Sequence, residues 1–165
     1  MIYRSFVLAS IILGVCLSGN NASAGELGVN VFGLSYHYES HSYFDGELER
    51  EYNQLNTGAG IQYILAQHDR HLYFVESGVF DDSMSNQAFY AAVGVKYFLI
   101  RPLGVGLAFT YLNSRSYGVP FAPLPVVTLR TGSVALNAVW MPASDVTGSG
   151  AIAFYATIHI WKSAS

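Results

Sequence analysis

The sequence predicts an all-β chain, an eight-stranded antiparallel transmembrane β-barrel of a Gram-negative outer membrane, and three observations carry that expectation. The composition is 52% hydrophobic and 15% aromatic but only 12% charged, and a domain this small has too little interior to hide so much apolar surface. No stretch beyond residue 25 supplies the roughly 20 consecutive apolar residues that a membrane-spanning helix needs. Apolar and polar residues instead alternate with a period of two in successive segments of about ten residues, the signature of membrane-barrel strands. Helices and closed barrels are the structures that satisfy every backbone group in lipid, so the barrel remains.

Residues 1–24 read as a secretory signal peptide. Arg4 precedes an apolar run from Phe6 to Leu17, and Ala22-Ser23-Ala24 offers small residues for cleavage. A lipoprotein reading of Leu13-Gly14-Val15-Cys16 is disfavoured by Val15, which is bulky where that processing needs a small side chain. Cys16 is the only cysteine, so the expected single domain, residues 25–165, carries no thiol. The net charge of -3 gives no case for a nucleic-acid partner.

Eight strands are expected, at 27–38, 56–66, 71–80, 87–98, 104–113, 124–130, 133–141 and 151–161. Lone polar residues fix which alternate set faces the lumen. In the fourth strand Lys96 must point inward, so Tyr90, Ala92 and Gly94 do too, while Phe89, Ala91, Val93, Val95 and Tyr97 face lipid. In the seventh, Asn137 and Ala135 point inward and Val134, Leu136, Ala138 and Trp140 outward. The last strand shows Ile152, Phe154, Ile158 and Ile160 on one face. An apolar outward set is the reverse of a soluble ligand-binding barrel.

Connections alternate as well. Those at 67–70, 99–103 and 131–132 are short, which suits the periplasmic side, whereas 39–55, 81–86, 114–123 and 142–150 are mostly longer and more polar and are placed outside. The first long loop holds Glu39, Asp45, Glu47, Glu49 and Glu51 and reads as a solvated face.

Acyl transfer between esters needs a polarised hydroxyl, a base for its proton, and exclusion of water. Of the five histidines, His68 and His71 fall at a periplasmic turn and His159 near the periplasmic end of the last strand. His37 and His41 reach the outer rim, where Asp82-Ser83 also lies. A histidine, an aspartate and a serine on one rim could form a base, orienter and hydroxyl set. Asp and Ser are also ordinary turn residues, so the sequence leaves both readings open here.

The segment Phe80-x-Asp82-Ser83, followed by Ala91-x-x-Gly94, resembles the corresponding stretch of the PagP family of lipid A palmitoyltransferases. Further matches follow in order: Arg101-Pro102, Phe109-Thr110, Pro123-Leu124-Pro125-Val126 and Pro142. Upstream, His37, Tyr52-Asn53 and a glycine-rich strand with Gly58 and Gly60 fit the same pattern. The resemblance implies an outer-membrane location and an eight-stranded barrel with His37, Asp82 and Ser83 as the catalytic set. It further implies Gly94 as the floor of an acyl-chain pocket and Pro142 beside a lateral lipid gate. Two departures stand out: there is no room for an amphipathic helix before the first strand, and Leu129 occupies the place of a family proline.

The activity so implied is transfer of a palmitoyl chain from a phospholipid donor to a hydroxyacyl chain of lipid A, by a monomeric, membrane-embedded enzyme. His37 is the expected general base, Asp82 its orienting partner, and Ser83 the nucleophile or a stabilising donor. No metal-ligand spacing or glycine-rich phosphate loop occurs in the sequence, so no cofactor or metal is expected. The alternatives are a non-enzymatic structural barrel and a lipid A deacylase or phospholipase built on the same residue types.

Overall fold

In the computed structural model, residues 25–38, 41–44, 47–115, 121–143 and 150–163 are described. The expected signal peptide lies outside them. Ten strands form: β1 (Glu26–His37), β2 (His41–Phe44), β3 (Glu47–Glu51), β4 (Leu55–His68), β5 (His71–Asp81), β6 (Gln87–Ile100), β7 (Leu103–Asn113), β8 (Phe121–Thr131), β9 (Val134–Met141) and β10 (Ala151–Lys162). Eight close an antiparallel barrel in which β1 pairs with both β4 and β10, so no edge strand is left. The remaining two, β2 and β3, make a hairpin inside the acidic segment that the sequence presented as loop.

The alternation inferred for β6 and β9 holds. Tyr90, Ala92, Lys96, Ala135 and Asn137 are buried, while Phe89, Tyr97, Val134, Leu136 and Trp140 are exposed. The exposed belt ends in aromatic residues on both sides: Tyr36, Tyr38, Trp140 and Phe121 toward the rim of the long connections, Tyr63, Tyr97 and Trp161 toward that of the short turns. Such girdles mark the two interfaces of a membrane. The strand length agrees, because the 14 residues of β4 or β6, at ~3.3 Å each and a tilt near 40°, rise about 35 Å. That spans a hydrocarbon core of roughly 30 Å.

The lumen is divided into two zones. The lower zone is polar: Lys96 Nζ donates to Asn137 Oδ1 (2.8 Å), Thr128 donates to the same oxygen, and Asn137 Nδ2 donates to Thr157 Oγ1, which in turn bonds Asn30. Glu76 accepts from Gln62 Nε2 (2.8 Å), Asn30 Nδ2 (3.1 Å) and the Tyr155 hydroxyl (3.2 Å). Two opposite buried charges thus stand in one hydrogen-bonded web, the arrangement that makes charge tolerable away from water. The upper zone is apolar, with the Phe32 ring 5.0 Å from that of Tyr155, 5.3 Å from Tyr90 and 5.5 Å from Phe80.

An apolar exterior makes a specific demand on mutants. Leu136, 56% exposed near the middle of β9, should tolerate arginine poorly: Leu136→Arg is expected to cost ~2–4 kcal/mol of folding stability in bilayers, against ~0–1 kcal/mol for Leu99→Arg near an interface. Urea titrations of refolding into lipid vesicles measure both, and equal tolerance at the two positions would exclude a lipid-facing β9.

Candidate functional site

His37 is the last residue of β1, and its orientation depends on one extra residue. Through Asn30 the even-numbered side chains of β1 point inward, Asn30 being fully buried while Val31 is 46% exposed. Between Phe32 and Leu34 the register slips against both neighbouring strands, leaving Gly33 as a bulge. Beyond it the odd-numbered residues are inside: Ser35 and His37 are buried and Leu34 and Tyr36 exposed. A bulge resets the period of two, and glycine suits it because the chain must bend there without a side chain to place.

Facing His37 is the β5–β6 turn. Ser83 Oγ lies 2.6 Å from His37 Nε2, with both residues buried. The other ring nitrogen, Nδ1, stands 3.2 Å from Gln54 Oε1, and the Tyr52 ring stacks on the imidazole at 4.7 Å with an 11° tilt. Because an amide oxygen only accepts, Nδ1 carries the hydrogen, and Nε2 is left as an acceptor for the Ser83 hydroxyl. The segment after β3 is tied down on both sides. Ser35 N donates to Gln54 O (2.9 Å), Asn53 N to Ser83 O (2.7 Å), and Asn56 Nδ2 to Asp81 O (2.9 Å).

Asp82 has a different role from the one expected. Its Oδ1 accepts from the backbone nitrogens of Met84 (2.9 Å) and Asn86 (2.8 Å), and its Oδ2 from the Ser114 hydroxyl. These donors belong to the turn itself and to the end of β7, and Gln54 rather than Asp82 takes the imidazole Nδ1. Asp82 therefore fixes the turn that presents Ser83 and does not orient His37. The sequence brought His37, Asp82 and Ser83 to one rim; Tyr52 entered only through the family-like pattern, with no role given to it, and nothing in the sequence marked Gln54 or Ser114 as supports. The side chain of His41 lies outside the described residues.

Beneath the pair an apolar cavity runs into the barrel. Ser83, Asp82, Ser35 and Asn56 line its top, Phe80, Ala108, Leu112, Leu124, Val139 and Met141 its walls, and Tyr90, Tyr155 and Glu76 its bottom. Gly94 is not its floor. The residue lies one inward position below Ala92, in register with Phe74, and a Cβ there would stand 2.6 Å from the Phe74 ring and 2.7 Å from the Leu107 carbonyl oxygen. Gly94 makes room for the fully buried Phe74, while the Tyr90 and Tyr155 rings close the lumen above it.

The wall beside the cavity has a seam. Pairing between β8 and β9 stops at Val126↔Val139, although β8 continues to Phe121 along β7 and β9 continues to Met141 along β10. Pro123 and Pro125 supply no backbone donor on one side of this gap. Pro142 follows directly after β9 on the other. Leu124, Val139 and Met141 flank the seam and also line the cavity.

Fold and site together define a closed membrane barrel with a buried imidazole–hydroxyl pair above an apolar cavity that lies beside an unpaired stretch of the wall. Comparison with known proteins adds little to this. No protein-family model matches the sequence, and no curated protein matches it. Among solved structures, the solid-state NMR structure of outer membrane protein AlkL in DMPC lipid bilayers aligns over 90% of this chain and 95% of that one, at 15% identity and a TM-score of 0.37. A likeness of that degree says nothing about activity.

The Gly33 bulge can be tested directly. Single cysteines at 36 and 37 in a chain lacking Cys16 should divide cleanly. Tyr36→Cys is expected to be accessible to a lipid-phase quencher and His37→Cys shielded from it. Deleting Gly33 should leave this division intact, because inward Phe32 and outward Leu34 then follow each other in regular alternation. An exchange of the two accessibilities after the deletion would show that Gly33 is an ordinary strand residue and not the extra one.

Proposed function

We propose that this chain is an outer-membrane acyltransferase that moves a fatty acyl chain from a phospholipid to a hydroxyl of lipid A. The observation that carries this reading is the buried 2.6 Å contact between His37 Nε2 and Ser83 Oγ at the head of an apolar cavity. Gln54 holds the imidazole in the tautomer whose Nε2 accepts a proton. Ser83 Oγ attacks the donor ester carbonyl as His37 takes its proton, and the lysophospholipid oxygen leaves with that proton. The lipid A hydroxyl then gives its proton to the same imidazole and attacks the acyl–serine ester, and Ser83 recovers a proton as it departs. One ester is exchanged for another, so neither water nor a cofactor is consumed. An apolar cavity supports transfer over hydrolysis because it favours the acyl chain and disfavours water. The resemblance of Asp82-Ser83 and Pro123-Leu124-Pro125-Val126 to the PagP family points to the same chemistry.

The cavity argues for a shorter chain than palmitoyl. From Asp81 at the rim to Gly78 or Glu76 at the level of the closing layer is three to five residues of β5, or roughly 8–13 Å of depth at ~3.3 Å per residue and a tilt near 40°. A saturated chain advances about 1.25 Å per ~1.5 Å carbon–carbon bond, so this depth sets an upper limit of about ten carbons, and a cavity volume of about 100 Å³ admits fewer unless the Phe32 and Phe80 rings move aside.

Expression in a Gram-negative host followed by mass spectrometry of lipid A tests the proposal. The wild-type chain should add one acyl group. His37→Ala and Ser83→Ala should abolish the addition, while Gln54→Leu should slow it by up to the ~10²–10⁴-fold that general base catalysis supplies, with heat-modifiable folding kept throughout. With phospholipids of defined length, donor preference should fall at about ten carbons or fewer, and Tyr90→Ala should move it to longer chains. Release of free fatty acid would reassign the site to hydrolysis, and lipid A unaltered by the wild-type chain would leave a structural barrel.

A further inference from the structure

At the end of the barrel opposite the His37–Ser83 pair, the lumen opens into a mouth of about 810 Å³ lined by Arg70, Arg101, Arg130 and Lys162. Two carboxylates stand near them. Glu26 is committed to Arg130, and Asp69 lies 3.5 Å from His68. Arg70 Nη1 donates to the Leu99 carbonyl at 3.2 Å, and Arg101 and Lys162 have no carboxylate partner among the described residues. Among the described residues, four cations against two carboxylates leave a surplus of two positive charges in one concavity, which draws anions to it. The opposite rim has the reverse bias, since its first long connection carries Glu39, Asp45, Glu47, Glu49 and Glu51.

The mouth is also amphipathic. Leu99 and Ile100 line it beside the cations and are 45% and 67% exposed, at the level where the Tyr97 and Trp161 rings mark the membrane interface. A small hydrophilic anion would be recognised by the cations alone and would leave this apolar lip unused. An anionic amphiphile uses both.

We propose that this mouth binds the phosphodiester headgroup of an anionic phospholipid in the surrounding leaflet, with the lipid's acyl chains against Leu99 and Ile100. The inference rests on the membrane placement of the barrel and not on acyl transfer. Guanidinium groups of Arg70 and Arg101 suit a phosphodiester because their paired donors match two of its oxygens, and Lys162 adds a point charge.

Native mass spectrometry of the full chain in detergent micelles, offered equal amounts of phosphatidylglycerol and phosphatidylcholine with the same acyl chains, tests this. Phosphatidylglycerol should be retained preferentially. The Arg101→Gln/Lys162→Gln chain should lose that preference by about fivefold per cation removed, whereas Arg115→Gln, whose cation lies beyond β7 at the other end, should not change it. Equal retention of the two lipids, or an unchanged preference in the double variant, would overturn the proposal. So would full displacement of the lipid by inorganic phosphate, which would mark a free-anion site.

Discussion

Everything at the candidate site depends on a change of parity inside β1. A strand can show only alternate side chains to a lumen, and the even-numbered set of Asn30 would carry His37 into the lipid. The extra residue at Gly33 turns Ser35 and His37 inward at the last possible turn of the pleat. From there one hydrogen bond to Ser83 links the first barrel strand to the turn between β5 and β6. The remaining supports, Gln54 and Asn53 from the segment before β4 and Asp82 within the turn, hold the two partners of that bond in place.

The same barrel must also stay folded around a lumen that carries charge. Polar side chains occupy the lower half, where Lys96, Asn137, Thr157, Asn30, Glu76 and Gln62 form a continuous web. The upper half is left to Phe32, Phe80 and the aliphatic wall. This division has two consequences. The polar web fills the lower lumen and gives the cavity its bottom, and the seam between β8 and β9 is confined to the apolar upper half, where backbone pairing stops beside the cavity. A proline-rich strand is tolerated there because β8 keeps its full pairing with β7.

Much of this was legible in the sequence, and the limits have physical causes. Strand faces could be read because isolated polar residues such as Lys96 and Asn137 cannot face lipid. The rim location of His37, Asp82 and Ser83 followed from counting strands and turns. The bulge could not be read, since Phe32-Gly33-Leu34 looks like ordinary strand sequence and parity is revealed only by pairing. Gln54 was invisible for a related reason: its contact with His37 spans a hairpin embedded in a charge-rich stretch with no apolar alternation. Gly94 was placed on the lumenal face correctly but is not the floor of the cavity, because parity gives the face of a residue and says nothing of which rings fill the space above it. Asp82 was given a partner by analogy, whereas two backbone donors of its own turn and the Ser114 hydroxyl after β7 take its carboxylate.

The central claim is that His37 and Ser83 form a polarised pair whose tautomer Gln54 sets. Nitrogen-15 NMR of the imidazole in the bilayer-folded protein measures it most directly. The account predicts a hydrogen on Nδ1 and a hydrogen-bonded, unprotonated Nε2, with Ser83→Ala shifting the Nε2 resonance and Gln54→Leu shifting Nδ1 or mixing the tautomers. A spectrum that neither substitution changes, or one with the hydrogen on Nε2, would contradict it.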